Sequence, residues 1–156
     1  MTIRHTRDGG MVVLLVEDDH AHAELIRYCF ENQPLLVDLR HLEDGEQARK
    51  YLHREGTYSN EEESPVPHLV LLDLRLPKVD GLMVLELIKS KETWRQIPVV
   101  VLTTSQAESD IAKAYTHHAN GYCVKPVHFP EFESLMKDLG MFWLTWSRNG
   151  SAPAAR

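Results

Sequence analysis

Four places in the chain carry side chains suited to chemistry with phosphate or a hard cation. Glu17, Asp18 and Asp19 follow one apolar run, and Asp73 ends another in the stretch LVLLDLRLPKVDG. Thr103 and Thr104 close a third run, and Lys125 and Pro126 close a fourth. Carboxylates crowded together repel and raise one another's pKa values. A cation such as Mg²⁺ removes that repulsion, taking oxygen ligands from one or two carboxylates, waters and phosphate oxygens. A carboxylate kept ionised in this way can attack phosphorus and carry the phosphoryl group covalently. An ammonium and a hydroxyl can then stabilise the charge on the transferring group. Taken singly, an Asp after a strand is most often a turn residue or a helix cap, and Lys-Pro most often a turn. The joint pattern is what points to phosphoryl chemistry.

These groups meet only if the chain lines up the ends of its strands. Residues 11–16, 68–73, 98–103 and 121–124 read as short apolar strands with both faces buried, and 36–42 as a more exposed one. Helices are expected from Asp19 or His20 to about residue 30, over 44–54, from an Asp80 cap to residue 90, over 108–118 and over 129–143. Pro130 is tolerable in the first turn of the last helix. Residues 56–67 read as a long polar loop. Five strand–helix repeats predict an α/β fold, a doubly wound parallel sheet in one domain. In such a sheet, ligands bind beyond the C-terminal ends of the strands, where all four groups stand.

The 156 residues suit one compact domain, with 43% hydrophobic and 26% charged residues. The net charge of -6 argues against direct binding to nucleic acid or an anionic membrane. Residues 1–10 read as a polar extension without signal-peptide character, and 147–156 as a disordered tail. A soluble, cytoplasmic protein is expected. Cys29 and Cys123 read as buried free thiols. Among nine histidines, His20/His22 and His117/His118 form the close groups and read as surface or partly buried residues without zinc spacing. No G-x-G-x-x-G follows the first strand, so a dinucleotide-binding domain is poorly supported.

The motifs LLVEDD, LLDLRLPKVDG, VVVLTTS and GYCVKP resemble the receiver domain of two-component response regulators, over residues 11 to about 140. The resemblance implies a flavodoxin-like (βα)5 fold with strand order 2-1-3-4-5. It implies that Asp73 accepts a phosphoryl group from a phosphohistidine on a sensor histidine kinase. Glu17 and Asp18 would be the acidic pair. Mg²⁺ or Mn²⁺ would sit on Asp18, Asp73 and the Arg75 backbone carbonyl, with Glu17 acting through water. Lys125, Thr103 and Thr104 would serve the phosphoryl group, Tyr122 would be the aromatic switch, and Lys125–Pro126 would be cis. Such a protein is a phosphoacceptor in its own Mg²⁺-dependent phosphorylation and dephosphorylation, not an enzyme on other substrates. The loop before PHLVLLDLRLP, together with TTSQAESDI, HHANGYCVKPVHFPEF and FWL, is most similar to phytochrome-associated single-domain response regulators, which implies a light-sensing kinase as partner.

The chain ends too soon for an effector domain, so its output is expected to be contact with another protein. Phe132, Leu135, Met136, Leu139 and Trp143 form a core-facing stripe. Met141, Phe142, Leu144 and Trp146 add apolar surface on other faces, which predicts a homodimer through the last helix with Tyr115 and Tyr122. Two other readings stay open. One is a phosphorylation-independent scaffold. The other is an aspartyl-nucleophile phosphatase, disfavoured because Arg75 stands where such enzymes need a second Asp.

Overall fold

The computed structural model describes residues 10–146. The expected tail lies outside the described residues, as does the expected extension apart from Gly10. Five parallel strands form one sheet: β1 (Met11–Val16), β2 (Val37–Leu42), β3 (Leu69–Leu72), β4 (Val99–Thr103) and β5 (Gly121–Val124), in the order β2-β1-β3-β4-β5. Five helices connect or follow them: α1 (His20–Glu31), α2 (Gly45–His53), α3 (Gly81–Ser90), α4 (Glu108–Thr116) and α5 (Phe129–Gly140). This is the expected doubly wound sheet, the flavodoxin-like (βα)5 arrangement.

The period-two alternation of the strands divides the apolar side chains between two cores. Leu14, Val16, Val70, Leu72, Val99 and Val101 point to one face, where α2, α3 and α4 cover them with Leu52, Val84, Leu85, Ile88 and Ala114. Val13, Leu15, Leu69, Leu71, Val100 and Leu102 point to the other, covered by α1 and α5 through Ile26, Phe30, Phe132, Met136 and Leu139. Burial on both faces is why these strands read as continuous apolar runs rather than alternating ones.

Asp19, Asp44 and Asp80 cap α1, α2 and α3, each accepting a backbone N–H of the first turn. The caps fix where these helices leave the strand ends, which holds the C-terminal rim of the sheet in place. The 56–67 segment, expected as a loop throughout, opens on a short 3-10 turn (Gly56–Tyr58) and is ordered by its own side chains and by Tyr51 of α2. Tyr58 stacks on Tyr51 at 5.4 Å, Tyr51 donates its hydroxyl to the Pro65 carbonyl at 2.5 Å, and buried Ser64 donates to the carbonyls of Tyr58 and Asn60.

Several expectations are corrected. After Gly140 the last helix widens into a π turn over Met141–Trp146. The wider turn changes the phase of the helix, so Leu144 is buried with α1 and α5 instead of exposed. Helix α4 ends at Thr116, and its chain reverses through His118 in the left-handed region (φ 69°). Cys29 is buried as expected, but Cys123 lies on edge strand β5 and is half-buried. The Lys125–Pro126 peptide is trans, the form an X–Pro bond prefers by about 0.5–1 kcal/mol where no turn demands the other.

Candidate functional site

Three backbone hydrogen bonds extend the sheet one residue past its strands. Glu17 N–H donates to the Leu42 carbonyl at 3.0 Å, Asp73 to Val16 at 3.0 Å, and Lys125 to Thr103 at 2.8 Å. Each residue after the last rung is therefore held as firmly as the strand itself. Glu17, Asp73 and Lys125 are carried to one spot on the rim, with Thr103 at the end of β4.

Gly81 lets this spot form. Its N–H donates to the Leu74 carbonyl at 3.2 Å. A Cβ added there would lie 2.4 Å from the Asp73 carbonyl oxygen and 2.5 Å from Leu74 Cα, so only glycine lets α3 start this close to the end of β3.

The Asp73 carboxylate is almost fully buried and has three donors. Oδ1 accepts from the Thr103 hydroxyl at 2.9 Å and the Arg75 N–H at 3.0 Å, and Oδ2 accepts from Lys125 Nζ at 3.0 Å. Lys125 Nζ also donates to Glu17 Oε1 and, at 3.0 Å, to His22 Nδ1. Glu17, Asp18 and Asp73 each offer a carboxylate oxygen, all within 4.8 Å of one another. Asp18 is exposed at the mouth of this cluster, while Glu17 and Asp73 form its buried floor.

The two buried carboxyls separate in pKa. Burial raises Glu17 to about 7, against the lowering effect of its hydrogen bond from Lys125. Burial also pushes Asp73 upward, but the Arg75 N–H and the Lys125 ammonium outweigh it and hold Asp73 below the usual carboxylate range. Asp73 is therefore ionised at neutral pH, the state a carboxylate needs in order to act as a nucleophile. Even with Glu17 half protonated at its raised pKa, the carboxylates outnumber the one ammonium, so negative charge is in excess. Hard oxygen donors with excess charge are what Mg²⁺ or Mn²⁺ takes, and the residues fit such an ion.

The remaining expected residues divide. Tyr122 is half-buried against the core and donates its hydroxyl to the Ser105 carbonyl at 3.0 Å. Thr104 is exposed, and among the described residues no hydrogen bond joins it to Asp73. The Arg75 side chain turns away from Asp73 and pairs with Asp110 on α4 at 3.1 Å, and Ser105 Oγ donates to the same Asp110 oxygen at 2.5 Å. Tyr115, Met141, Phe142 and Trp146 are exposed, as the interface reading requires, whereas Leu144 is not. His22, read from sequence as a surface or partly buried residue, stands in the site. The signal available for it was its place on the first turn of a helix that begins at the rim.

The chain matches the model of the response regulator receiver domain over residues 13–137. It is 44% identical over 144 residues to the probable methanogenesis regulatory protein FilR2 of Methanothrix harundinacea, covering 91% of this chain and 89% of that one. It is 40% identical over 133 residues to the response regulator Rcp1 of Synechocystis sp., covering 85% and 88%. Among solved structures it is similar to the phosphorylated cyanobacterial phytochrome response regulator RcpA, with a TM-score of 0.84, 39% identity and coverage of 91% and 99%. The Mn²⁺-bound form of Rcp1 follows, with a TM-score of 0.83, 38% identity and coverage of 89% and 98%. With the acidic cluster, the lysine and the hydroxyl at the ends of the strands, this chain belongs to the receiver-domain response regulators, the family that histidine kinases phosphorylate.

Proposed function

We propose that Asp73 is the phosphoacceptor. The observation that carries this reading is one buried carboxylate held between the Thr103 hydroxyl and the Lys125 ammonium, 2.9 and 3.0 Å away. An Asp73 oxygen attacks the phosphorus of a kinase phosphohistidine. The O–P bond forms as the P–N bond breaks, and the leaving imidazole nitrogen keeps the electron pair and takes a proton from solvent. Thr103 and Lys125 donate to the phosphoryl oxygens, which carry the developing charge. Glu17, Asp18, Asp73 and the Arg75 carbonyl would hold Mg²⁺ or Mn²⁺, which supplies positive charge against those oxygens. Water attack on the same phosphorus returns Asp73 and inorganic phosphate, with the same side chains serving.

Phosphorylation replaces the acceptor for Thr103 and Lys125. Tyr122, whose hydroxyl is tied to Ser105 beside Thr103, then exchanges its position, and the α4–β5–α5 surface changes with it. That surface holds exposed Tyr115, Met141, Phe142 and Trp146, and a homodimer through it is the proposed output, along with an unidentified downstream protein. The setting is cytoplasmic. Among the described residues no helix is long and apolar enough to cross a membrane.

The proposed donor is a phytochrome-type kinase, supported by the likeness to RcpA and Rcp1. The test incubates this protein with an autophosphorylated phytochrome-type histidine kinase and, in parallel, with a kinase lacking a light-sensing module. Transfer within a minute from the first and far more slowly from the second supports the light partner. Equal transfer from both, or transfer from neither, removes it. Sedimentation that finds only monomer at high concentration, phosphorylated or not, ends the dimer reading.

A further inference from the structure

We infer that His22 is a positioning residue for Lys125, a role that rests on the reading of Asp73 as phosphoacceptor. An ammonium has three N–H donors and no acceptor. Those of Lys125 meet Glu17 Oε1, Asp73 Oδ2 and His22 Nδ1, so its donor capacity is filled from β1, β3 and α1. Because lysine only donates, His22 Nδ1 is the acceptor in this contact and the ring proton sits on Nε2. Nδ1 also lies 3.6 Å from Glu17 Oε1 and from Asp19 Oδ2, so the contact to Lys125 is the short one of the three.

The three acceptors pull in different directions. Glu17 is 1% exposed and draws the ammonium toward the floor of the site. His22 is 35% exposed and draws it toward the mouth, where a phosphoryl group enters. The helix turn that carries the imidazole is itself held in place, because the His22 backbone N–H donates to the Asp19 cap at 3.1 Å. A phosphoryl group on Asp73 lies farther out than the carboxylate it modifies. Lys125 must reach outward to donate to it, against its bond to Glu17. His22 keeps the ammonium at the height where that donor is already aimed, so little reorganisation accompanies binding.

The geometry singles out Nδ1, and that makes the role testable. Asparagine places its side-chain oxygen as many bonds from Cα as Nδ1. Glutamine places its oxygen where Nε2 stands. Leucine has similar bulk and no acceptor. The experiment measures the affinity of beryllofluoride, a non-reactive phosphoryl mimic, with Mg²⁺ by titration calorimetry. It also measures the rate of phosphorylation by acetyl phosphate, and thermal unfolding as a folding control. A hydrogen bond to a charged group sets the scale: His22→Leu and His22→Gln should weaken beryllofluoride binding about tenfold, and His22→Asn should stay within about twofold of wild type. The phosphorylation rates should fall in the same order, with every variant still unfolding in a single cooperative transition.

Leucine equal to wild type overturns the role. So does asparagine as weak as leucine, since that pattern belongs to the ring's bulk and not to its Nδ1 acceptor. A wild-type protein that neither binds beryllofluoride nor accepts phosphate overturns the phosphoacceptor reading itself, and is told apart because it fails before any His22 variant is compared.

Discussion

Asp73 stands between two cation–carboxylate pairs with the same chemistry and opposite surroundings. On one side Lys125 meets Glu17, with side chains 4% and 1% exposed. On the other Arg75 meets Asp110, with side chains 70% and 20% exposed. Burial removes water from the first pair, so each partner depends on the other for its charge balance. Solvent screens the second and competes for both its ends. The buried pair is thus the fixed frame around Asp73. The exposed pair is a contact between the loop after Asp73 and α4 that can be exchanged at small cost.

The largest effect expected from this difference comes from Lys125→Met. It leaves Glu17 and Asp73 facing one another with no cation, and should lower stability by about 3–5 kcal/mol in urea unfolding without divalent ions. Millimolar Mg²⁺ should recover part of the loss. A loss below about 1 kcal/mol would mean that the two sides of Asp73 do not differ as burial requires.

Next comes Gly81→Val, which sets a side chain against the Asp73 carbonyl oxygen, 2.4 Å from the new Cβ. Overpacking of this kind should cost about 1–3 kcal/mol and slow phosphorylation, because Asp73 and Leu74 must move. Unchanged unfolding and phosphorylation together would show that the rim is softer than its hydrogen bonds indicate.

The pH dependence of stability separates the buried side from the exposed one. Glu17 has its folded pKa raised from 4.5 to about 7, so the folded state binds its proton more tightly than the unfolded chain does. That contribution is fully present below about pH 4.5 and is lost as pH rises through 7. The Asp73 shift has the opposite sign, and its contribution is lost only as pH falls below the ordinary carboxylate range. Unfolding midpoints should therefore fall between pH 5 and 7.5 in metal-free buffer, and saturating Mg²⁺ should flatten the fall. Glu17→Gln should remove the slope, and a slope that persists in that variant would assign it elsewhere.

The smallest effect belongs to the exposed side. Arg75→Ala should shift the urea midpoint only slightly, and less at high salt. Asp110→Asn in the same background should add almost nothing, since the pair is already broken. A cost comparable to that of Lys125→Met would erase the comparison.

The sequence made the frame legible and left the cross-connections hidden. Glu17, Asp73, Thr103 and Lys125 could be read because each ends a short apolar strand, and parallel strands put such ends on one rim. The cap Asp80 was readable for a local reason, the helix that starts after it, and the start of the first helix was placed at Asp19 or His20. For His22 the sequence offered only its place on the first turn of α1; its partner was hidden, because the contact that matters joins α1 to the residue after β5, 103 residues away along the chain. The turn of Arg75 toward Asp110 was hidden likewise, since a side chain's direction depends on which long-range partner its loop meets. Leu144 was misplaced for a different reason. An uninterrupted 3.6-residue period puts it outside, and the π turn after Gly140 moves it inside.

The central claim, that Asp73 carries the phosphoryl group, is tested most directly by intact mass and site mapping after incubation with acetyl phosphate. The proteins compared are wild type and Asp73→Asn, each with and without Mg²⁺. The account predicts a Mg²⁺-dependent gain of one phosphoryl group on Asp73, absent from the variant. No gain with acetyl phosphate or a phosphorylated kinase, together with no binding of beryllofluoride, would contradict it and leave the chain a phosphorylation-independent scaffold on the receiver fold.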